Sequence, residues 1–153
     1  MTGSRLRTAH PDPDQSPGLA LWHVATAWQR VMRDALAPHG LTHVQYVLLA
    51  MSAAAREDES LTQHELASRA GTDVMMTSQV LRRLERAQLI ERLPHPHDGR
   101  ARLIRATEAG VALVNSATRD VESADSAYFA TLGADSAAFL DLLHRLRRGH
   151  PIQ

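Results

Sequence analysis

The chain has 153 residues, of which 44% are apolar and 22% are charged, and these are ordinary values for a single soluble globular domain. It contains no cysteine, which excludes a disulfide, a thiolate zinc site and a cysteine redox sensor. No apolar run approaches the roughly 18 residues that a membrane-spanning helix needs, and residues 1–17 contain no apolar signal-peptide core. We therefore expect a cytoplasmic protein with no membrane partner.

The charge of the chain is unevenly distributed. All 17 basic residues are arginines, and they balance 17 carboxylates to a net charge of zero. The segment 69–105 holds eight arginines against four carboxylates, whereas 107–141 holds one arginine against six. A GC-rich genome is one explanation for the absence of lysine, but arginine is also the better bidentate partner for phosphate and guanine. The first segment therefore suits contact with a polyanion, and the second does not.

The first three predicted helices begin at recognisable N-cap sequences. Ser16, followed by proline, predicts the start of a helix that ends before Gly40. Thr42 and Thr62 each precede a glutamine or glutamate by three positions, which is the capping-box pattern. They predict a second helix and a short third helix, with a charged loop at 56–60 between them.

A fourth helix is predicted from the residues after Gly71 to about Ala87. Gly71 ends the short third helix, and Thr72 or Asp73 caps the next one. Its helical periodicity predicts a face turned towards the core that consists of Val74, Thr77, Val80, Leu81 and Leu84. The opposite face, turned to solvent, then holds Met75, Met76, Ser78, Gln79, Arg82, Arg83 and Arg86.

The remaining elements are a hairpin and two helices. Residues 89–94 and 101–106 are predicted strands, and the segment of prolines and glycine between them predicts a hairpin with a basic tip. Thr107 is predicted to cap a long helix that runs to about Leu132, and Asp135 to cap the last helix. The predicted fold class is therefore mainly α with a small β-hairpin.

The third and fourth helices, joined by a glycine turn, form a helix-turn-helix pattern. Ala67 and Gly71 are small enough to let the two helices cross closely. The second helix of such a pair lays its N-terminal half in a DNA major groove, where serine, glutamine and arginine read base edges. The candidate DNA-binding residues of this helix are Met76, Ser78, Gln79, Arg82 and Arg83. The alternative is an ordinary core helix.

Met75 and Met76 are unusual residues for a face turned to water. Contact with the methyl groups of thymine would explain them, and so would burial against a neighbouring helix.

The tip of the hairpin supplies a second candidate contact with DNA. An arginine at a hairpin tip is narrow enough for a minor groove, whose negative potential attracts guanidinium. Asp98, two residues before Arg100, can hold the tip or orient an arginine. We take Asp98, Arg100 and Arg102 as candidate DNA-binding residues of the hairpin. The alternative is a solvated turn.

Five segments of the chain match a pattern that is known from one family. They are Gly40 to Tyr46, Leu61 to Ala67, Val80 to Ile90, His97 to Arg100, and Leu103 to Gly110. In this order and spacing they resemble the MarR family of winged helix-turn-helix transcriptional regulators, over about residues 18–148. The sequence departs from the family at Gly99, where an arginine often follows the wing aspartate, and at Gln88, where glycine is usual.

The resemblance implies a homodimeric regulator without a cofactor, usually a repressor that a small ligand releases from a pseudo-palindromic double-stranded DNA operator. It implies one domain at 16–153. Residues 1–15 are polar and contain Pro11 and Pro13, which predicts a flexible N-terminal arm before that domain. Within the domain, 42–106 would form the winged helix-turn-helix lobe, and 16–38 and 107–149 the dimerisation helices. Such a regulator is expected in the bacterial cytoplasm, associated with the nucleoid when bound.

Two apolar series favour a dimer. Residues on the long helix alternate at spacings of four and three, as in a heptad seam with small side chains: Gly110, Val114, Ala117, Val121, Ala124, Tyr128 and Thr131. This seam faces either a partner subunit or the core of the same chain. The last helix carries a second stripe, which runs from Phe139 to Leu146.

The family resemblance also places a ligand crevice near the first two helices. The candidate ligand-binding residues there are Trp22, His23, Thr26, His43 and Tyr46. Aromatic rings with a few polar groups suit a small aromatic or anionic ligand. The alternative is that the tryptophans belong to the core and the histidines to the surface.

Other classes of function have less support in the sequence. The nine histidines include no cluster with the spacing of a zinc site, so we expect no metal. There is no phosphate-binding glycine loop, nucleophile elbow or outstanding carboxylate pair, so we expect no enzyme activity. The alternative function is a ligand-independent winged-helix module that binds DNA architecturally or binds another protein.

Overall fold

The computed structural model describes residues 7–10, 12–56 and 60–151. The elements run in the order α1, α2, β1, α3, α4, β2, β3, α5, α6. The helices are α1 Pro17–Leu36, α2 His43–Ala54, α3 Gln63–Ala70, α4 Val74–Arg86, α5 Glu108–Phe129 and α6 Ser136–Gly149; the strands are β1 Leu61–Thr62, β2 Ile90–Pro94 and β3 Arg102–Ala106. Single 3-10 segments lie at Pro13–Gln15, Ala37–His39 and Ala130–Asp135. The mainly α fold class with a small β-hairpin is confirmed.

Most predicted helix starts have the hydrogen bonds of a cap. Thr42 and Thr62 each form both bonds of a capping box, with Gln45 and Glu65 as partners. The backbone N–H of Thr62, and after it the Thr62 hydroxyl, lowers the pKa of the Glu65 carboxyl by bonding its ionised form. Asp73 Oδ1 accepts from Met76 N at 2.7 Å, so Asp73 caps α4.

The prediction that the Asp135 side chain caps the last helix is wrong. A 3-10 segment leads directly into α6, and Asp135 itself has helical backbone angles with no side-chain cap bond. The Ser136 hydroxyl instead donates to Gly133 O at 3.0 Å. A side chain caps only where the backbone enters the helix from an extended conformation, and here it does not.

The three strands form one antiparallel sheet in the order β1-β3-β2. The hairpin strands pair from Ile90 opposite Ala106 to Pro94 opposite Arg102. The two-residue strand β1, which was not predicted, pairs Leu61 with Ile104 on the other side of β3. Because β1 leads directly into α3, the sheet ties the hairpin to the helix-turn-helix.

The core lies where α2, α4 and the sheet meet the long helix α5. Its largest fully buried side chains come from the first four helices and from β3: Met32, Leu36, Leu48, Leu49, Leu66, Thr77, Leu81, Leu84 and Ile104. The buried Thr77 hydroxyl donates to Asp73 O at 2.8 Å and accepts from the Thr72 hydroxyl at 2.7 Å. The polar group inside the core is therefore satisfied.

The seam on α5 faces the core of the same chain. Gly110, Val114, Ala117 and Val121 are buried. A side-chain carbon at Gly110 would lie 2.0 Å from the carbonyl oxygen of Leu89, so α5 passes directly against the turn that precedes β2. The Leu89 oxygen also accepts from Thr107 N at 3.0 Å. Ala124 and Tyr128 are half-buried and Thr131 is exposed, so the core of the same chain covers the first four residues of the seam.

The part of the chain before α1 is described only in part. Residues 1–6 and 11 of the predicted arm, and 57–59 of the predicted charged loop, lie outside the described residues. Within the arm, Asp12 caps the 3-10 turn Pro13–Gln15. Across the described ranges, no helix has the length and apolar character to span a membrane.

Candidate nucleic-acid interface

Helix α4 buries one face and exposes the other. Thr77, Leu81 and Leu84 are buried and Val80 is half-buried, as predicted. The prediction for Val74 is wrong, because its side chain is 47% exposed. Val74 is the first residue of α4 and lies beside an open cleft. It continues the apolar spacing of the helix, but no other element packs over its side chain.

The exposed face of α4 is polar and cationic. Gln79, Arg82, Arg83 and Arg86 line a shallow depression of about 140 Å³. Arg82 folds back along the helix, and its Nε and Nη2 donate to the backbone oxygen and hydroxyl of Ser78, each at 3.3 Å. Ser78 is half-buried, and because it accepts both of these bonds it orients the Arg82 side chain. Its hydroxyl is also a possible contact for DNA.

The two methionines lie on the exposed side of the first turn of α4. Met75 is 76% exposed and Met76 is 38% exposed. Burial against a neighbouring helix of the same chain is thereby excluded as the explanation for Met75. An exposed thioether next to the cationic face is compatible with contact to thymine methyl groups.

Two arginines of the basic segment serve the fold. Arg92 donates from Nε to Glu85 Oε2 at 3.0 Å and from Nη1 to Gln63 Oε1 at 3.4 Å. Arg105 pairs with Glu91, which lies directly opposite on the neighbouring strand, at 2.7 Å. These pairs link α4, α3 and the hairpin. They also neutralise two of the positive charges in the basic segment, which are then not available to bind a polyanion.

The other arginines of this segment near the hairpin keep their charge unpaired. In the ranges that the structure describes, no carboxylate lies within ion-pair distance of Arg100 or Arg102, both of which are exposed. Asp98 Oδ1 accepts from the backbone N–H of Arg100 at 2.9 Å, so Asp98 holds the tip of the hairpin. Its carboxylate is therefore used for backbone geometry.

A cleft separates the hairpin from the start of the helix-turn-helix. Its volume is about 470 Å³. The lining comes from the first residues of α3 and α4 and from the hairpin: Thr62, Gln63, His64, Val74, Arg92, Asp98, Arg100, Ala101 and Arg102. We call this the wing cleft. Sequence reasoning missed Gln63 and His64 as part of this face, because only the pairing of β1 with β3 brings them beside the hairpin.

Removing the guanidinium of Arg100 is expected to weaken DNA binding without affecting the fold. Arg100→Ala should cost about 1–3 kcal/mol of binding free energy, because an unpaired arginine at an exposed tip contacts DNA and buries little in the free protein. Fluorescence anisotropy at fixed salt measures the affinity. Arg119→Ala, which removes an exposed arginine from the acidic helix α5, is the matched control and should bind as the parent does. Equal affinities of the two variants would remove Arg100 from the interface.

The candidate ligand residues do not all lie together. Trp22 is 67% exposed and His23 is exposed, whereas Thr26, His43 and Tyr46 are half-buried. His43 stacks on Tyr46 with a centroid distance of 6.5 Å. The structure thus brings two of the five candidates into contact, and it places Trp22 and His23 in the exposed first half of α1.

His43 and Tyr46 belong to a polar and aromatic junction of α1, α2 and α5. Trp28 meets the His43 ring edge-on at 5.1 Å and donates from Nε1 to Asp125 Oδ1 at 2.8 Å. The Tyr46 hydroxyl lies 3.2 Å from the Thr118 hydroxyl, whose own proton goes to a backbone oxygen, so Tyr46 donates. Burial lowers the pKa of the His43 imidazole, and Asp125 opposes that shift.

Sequence reasoning missed the partners in this junction. Trp28, Thr118 and Asp125 come from two distant helices, and no local motif marks them. For Trp28 the sequence offered only a place in the core. No group of three or more histidine, aspartate or glutamate side chains arranged for a metal ion occurs within residues 7–10, 12–56 and 60–151.

The arrangement of α3, α4 and the hairpin defines a winged helix-turn-helix DNA-binding protein. A sequence model described as the MarR family matches residues 41–101. The HTH-type transcriptional regulator YdcH of Bacillus subtilis (strain 168) is 44% identical over 119 residues, which cover 77% of this chain and 81% of YdcH. The chain belongs to the MarR family, whose members are transcriptional regulators and not enzymes.

Two solved structures show the same fold. The PcaV transcriptional regulator from Streptomyces coelicolor, in complex with its natural ligand, is 26% identical with a TM-score of 0.77, over 92% of this chain and 98% of PcaV. A mutant MarR from E. coli complexed with operator DNA is 27% identical with a TM-score of 0.75, over 88% of this chain and 93% of that one. Relatives of this fold thus bind operator DNA in one case and a small ligand in the other.

Proposed function

We propose that this transcriptional regulator is a homodimeric repressor that binds a pseudo-palindromic operator and is released by a small aromatic or anionic ligand. The observation that carries the proposal is the pairing of a cationic reading helix with an arginine-tipped hairpin across the wing cleft. The helix fits a major groove, and the hairpin fits the neighbouring minor groove. Such a repressor acts in the bacterial cytoplasm, on the nucleoid.

The wing cleft fits the DNA strand that separates those two grooves. When a helix occupies a major groove and a hairpin the adjacent minor groove, one phosphate backbone passes between them. The cleft presents the unpaired Arg100 and Arg102 to that strand. Phosphate contacts of this kind fix the register on the duplex, while Gln79 and Arg82 contact base edges.

The apolar surface that remains exposed supports a dimer. In α1, Leu21, Trp22 and Val24 are exposed, and in α6 so are Leu140, Leu142 and Leu146. Helix α6 has no buried residue in the single chain, and a cavity of about 200 Å³ lies between it and the end of α5. A second copy would cover these surfaces and place two reading helices about 34 Å apart, one turn of DNA.

We expect light scattering at micromolar concentration to give twice the chain mass of 16.8 kDa. Leu142→Glu should give a monomer that keeps its fold, because this side chain is already half exposed in the single chain and a buried carboxylate at an interface is costly. Ala112→Glu, at an exposed position of α5, is the matched control and should stay dimeric. A parent chain that scatters as a monomer would refute the dimer.

Selection from a library of random 30-base-pair duplexes tests the DNA function. The proposal expects enrichment of one inverted repeat, with half-sites about one helical turn apart. The architectural alternative expects no enrichment, and binding to every duplex that depends on salt alone. If the protein is instead a protein-interaction module, no duplex should be bound.

The selected duplex then serves to test ligand release. A panel of aromatic acids is titrated into the complex while band shift follows the bound DNA and tryptophan fluorescence follows the protein. A ligand changes DNA affinity only through its different affinities for the DNA-binding and the released arrangement. Release by one of these acids, together with a fluorescence change, supports the proposal; a complex that ignores the whole panel favours a ligand-independent regulator.

A further inference from the structure

The tip of the hairpin is folded around a histidine side chain. His95 Nδ1 accepts the backbone N–H of His97 at 3.1 Å and the backbone N–H of Asp98 at 3.0 Å. The His95 side chain is half-buried, whereas residues 96–100 are exposed. One imidazole nitrogen therefore satisfies two consecutive backbone donors, in the manner of an Asx turn.

These two bonds determine where Arg100 is held. His95 fixes the backbone of Asp98, the Asp98 carboxylate accepts the N–H of Arg100 at 2.9 Å, and Asp98 O accepts the N–H of Ala101 at 3.2 Å. The backbone of the tip is thus held through His95, then Asp98, then Arg100. Gly99 contributes no side chain to this arrangement, and a carbon added there would meet nothing within 4 Å.

We infer that His95 is the positioning residue of the DNA-reading hairpin, and that protonation of its imidazole loosens the tip that presents Arg100. The inference rests on the proposed DNA binding. It assigns a role to a residue outside the candidate interface, since His95 acts through the backbone and need not contact DNA.

The chemistry of the imidazole makes this role dependent on pH. Nδ1 accepts hydrogen bonds only while it carries a lone pair, which requires the neutral ring with its proton on Nε2. Histidine is the side chain that changes charge between pH 5 and pH 8. A proton on Nδ1 removes both bonds at once, so protonation of the ring releases the backbone N–H groups of His97 and Asp98.

Three titratable residues lie near His95. They are His97, whose ring centroid lies 6.3 Å away, Asp98 through its backbone, and Glu65 at the start of α3. The charge of His95 contributes, as the smallest cause after Thr62 and Arg69, to lowering the pKa of the Glu65 carboxyl.

Two substitutions of His95 distinguish the loss of its hydrogen-bond acceptor from the loss of its titratable ring. His95→Asn keeps an acceptor at the same number of bonds from the backbone, but this acceptor does not titrate; His95→Ala removes it. At pH 8 we expect His95→Asn to bind the selected duplex as the parent does, and His95→Ala to bind about five- to twentyfold more weakly. His97→Asn is the matched control, because it removes a neighbouring titratable ring and keeps the backbone N–H.

The pH profile tests positioning against a merely structural role. Gain of charge by histidines alone strengthens attraction to DNA as pH falls. Between pH 8 and pH 5.5 we expect the parent and His97→Asn to lose about fivefold or more in affinity relative to His95→Asn. The inference is overturned if His95→Ala binds like the parent at pH 8, or if His95→Asn shows the same pH profile as the parent.

A measurement on the free protein keeps this test separate from the DNA function. In a pH titration followed by proton–nitrogen correlation NMR, the amide resonances of His97 and Asp98 should shift with the same midpoint as the ring resonances of His95. In His95→Asn these amide resonances should stay constant. If no duplex is bound but the amides respond in this way, the DNA proposal fails while the hydrogen bonds of the tip stand. If the amides do not respond, the inference fails whatever the DNA result.

Discussion

Replacing Gly110 with alanine is expected to destabilise the fold by about 3 kcal/mol or more, the upper end of the range for overpacked sites. The added carbon would lie 2.0 Å from Leu89 O, 3.0 Å from the carbonyl carbon of Leu89 and 3.2 Å from Leu49 Cδ1. Two of these three atoms belong to the backbone, so they cannot yield by a change of rotamer. Urea denaturation followed by circular dichroism measures the loss.

Gly18→Ala is the matched control for this substitution. Gly18 also lies in the first turn of a helix, and a carbon added there meets nothing within 4 Å. Alanine lowers the conformational entropy of the unfolded chain, so this variant should be as stable as the parent or more stable by up to about 1 kcal/mol. Equal midpoints for Gly110→Ala and Gly18→Ala would mean that α5 does not pass against Leu89 as the structure describes.

Leu84→Ala should unfold or loosen the domain, whereas Gln79→Ala should leave it intact. Leu84 is 1% exposed in the core, and truncation of a buried leucine costs about 2–5 kcal/mol. Gln79 lies on the exposed cationic face of the same helix. Its truncation should relax the preference for one base pair of the operator, at a cost of about 1–3 kcal/mol in discrimination.

Two measurements separate these effects. The melting temperature should drop strongly for Leu84→Ala and stay unchanged for Gln79→Ala. In binding to single-base variants of the selected duplex, Gln79→Ala should show relaxed specificity and Leu84→Ala should not. The opposite pattern would mean that the two faces of α4 are assigned the wrong way round.

The sequence predicted the helices well because their start signals are local. A capping box needs only two residues three positions apart, and Thr42 and Thr62 both form it as expected. Asp73 caps α4 for the same reason. Asp135 looked similar in sequence but is the last residue of a 3-10 segment, and that context depends on how α5 ends.

The sequence could not predict features that depend on distant partners. Strand β1 has two residues, too few for any periodicity, and it exists only because β3 pairs with it. The spacing along α5 predicted an apolar seam, but periodicity does not say what covers it. Val74 continued the apolar period of α4, yet no element packs over the first turn at the wing cleft.

The candidate site was predicted in residue type more than in detail. The excess of arginine marked the segment 69–105, but it did not distinguish the arginines that pair within the fold from those that stay unpaired. Arg92 and Arg105 were separated from Arg100 only by the fold. The packing of α4 against β2 places Glu85 beside Arg92, and the register of the hairpin places Glu91 beside Arg105. The role of Asp98 at the tip was one of the two alternatives that the sequence offered.

Because α5 passes close to the Leu89 carbonyl, a movement at the far end of this helix is transmitted to the turn before β2. The beginning of α5 lies directly against the turn that joins α4 to β2, so a tilt of α5 acts on that turn. With 22 residues the helix is about 33 Å long, so a tilt of about 5° at one end displaces the other by about 3 Å. That displacement equals the length of a hydrogen bond. In the proposed DNA complex, a small change of angle near α6 would therefore be enough to separate a side chain of α4 from its base.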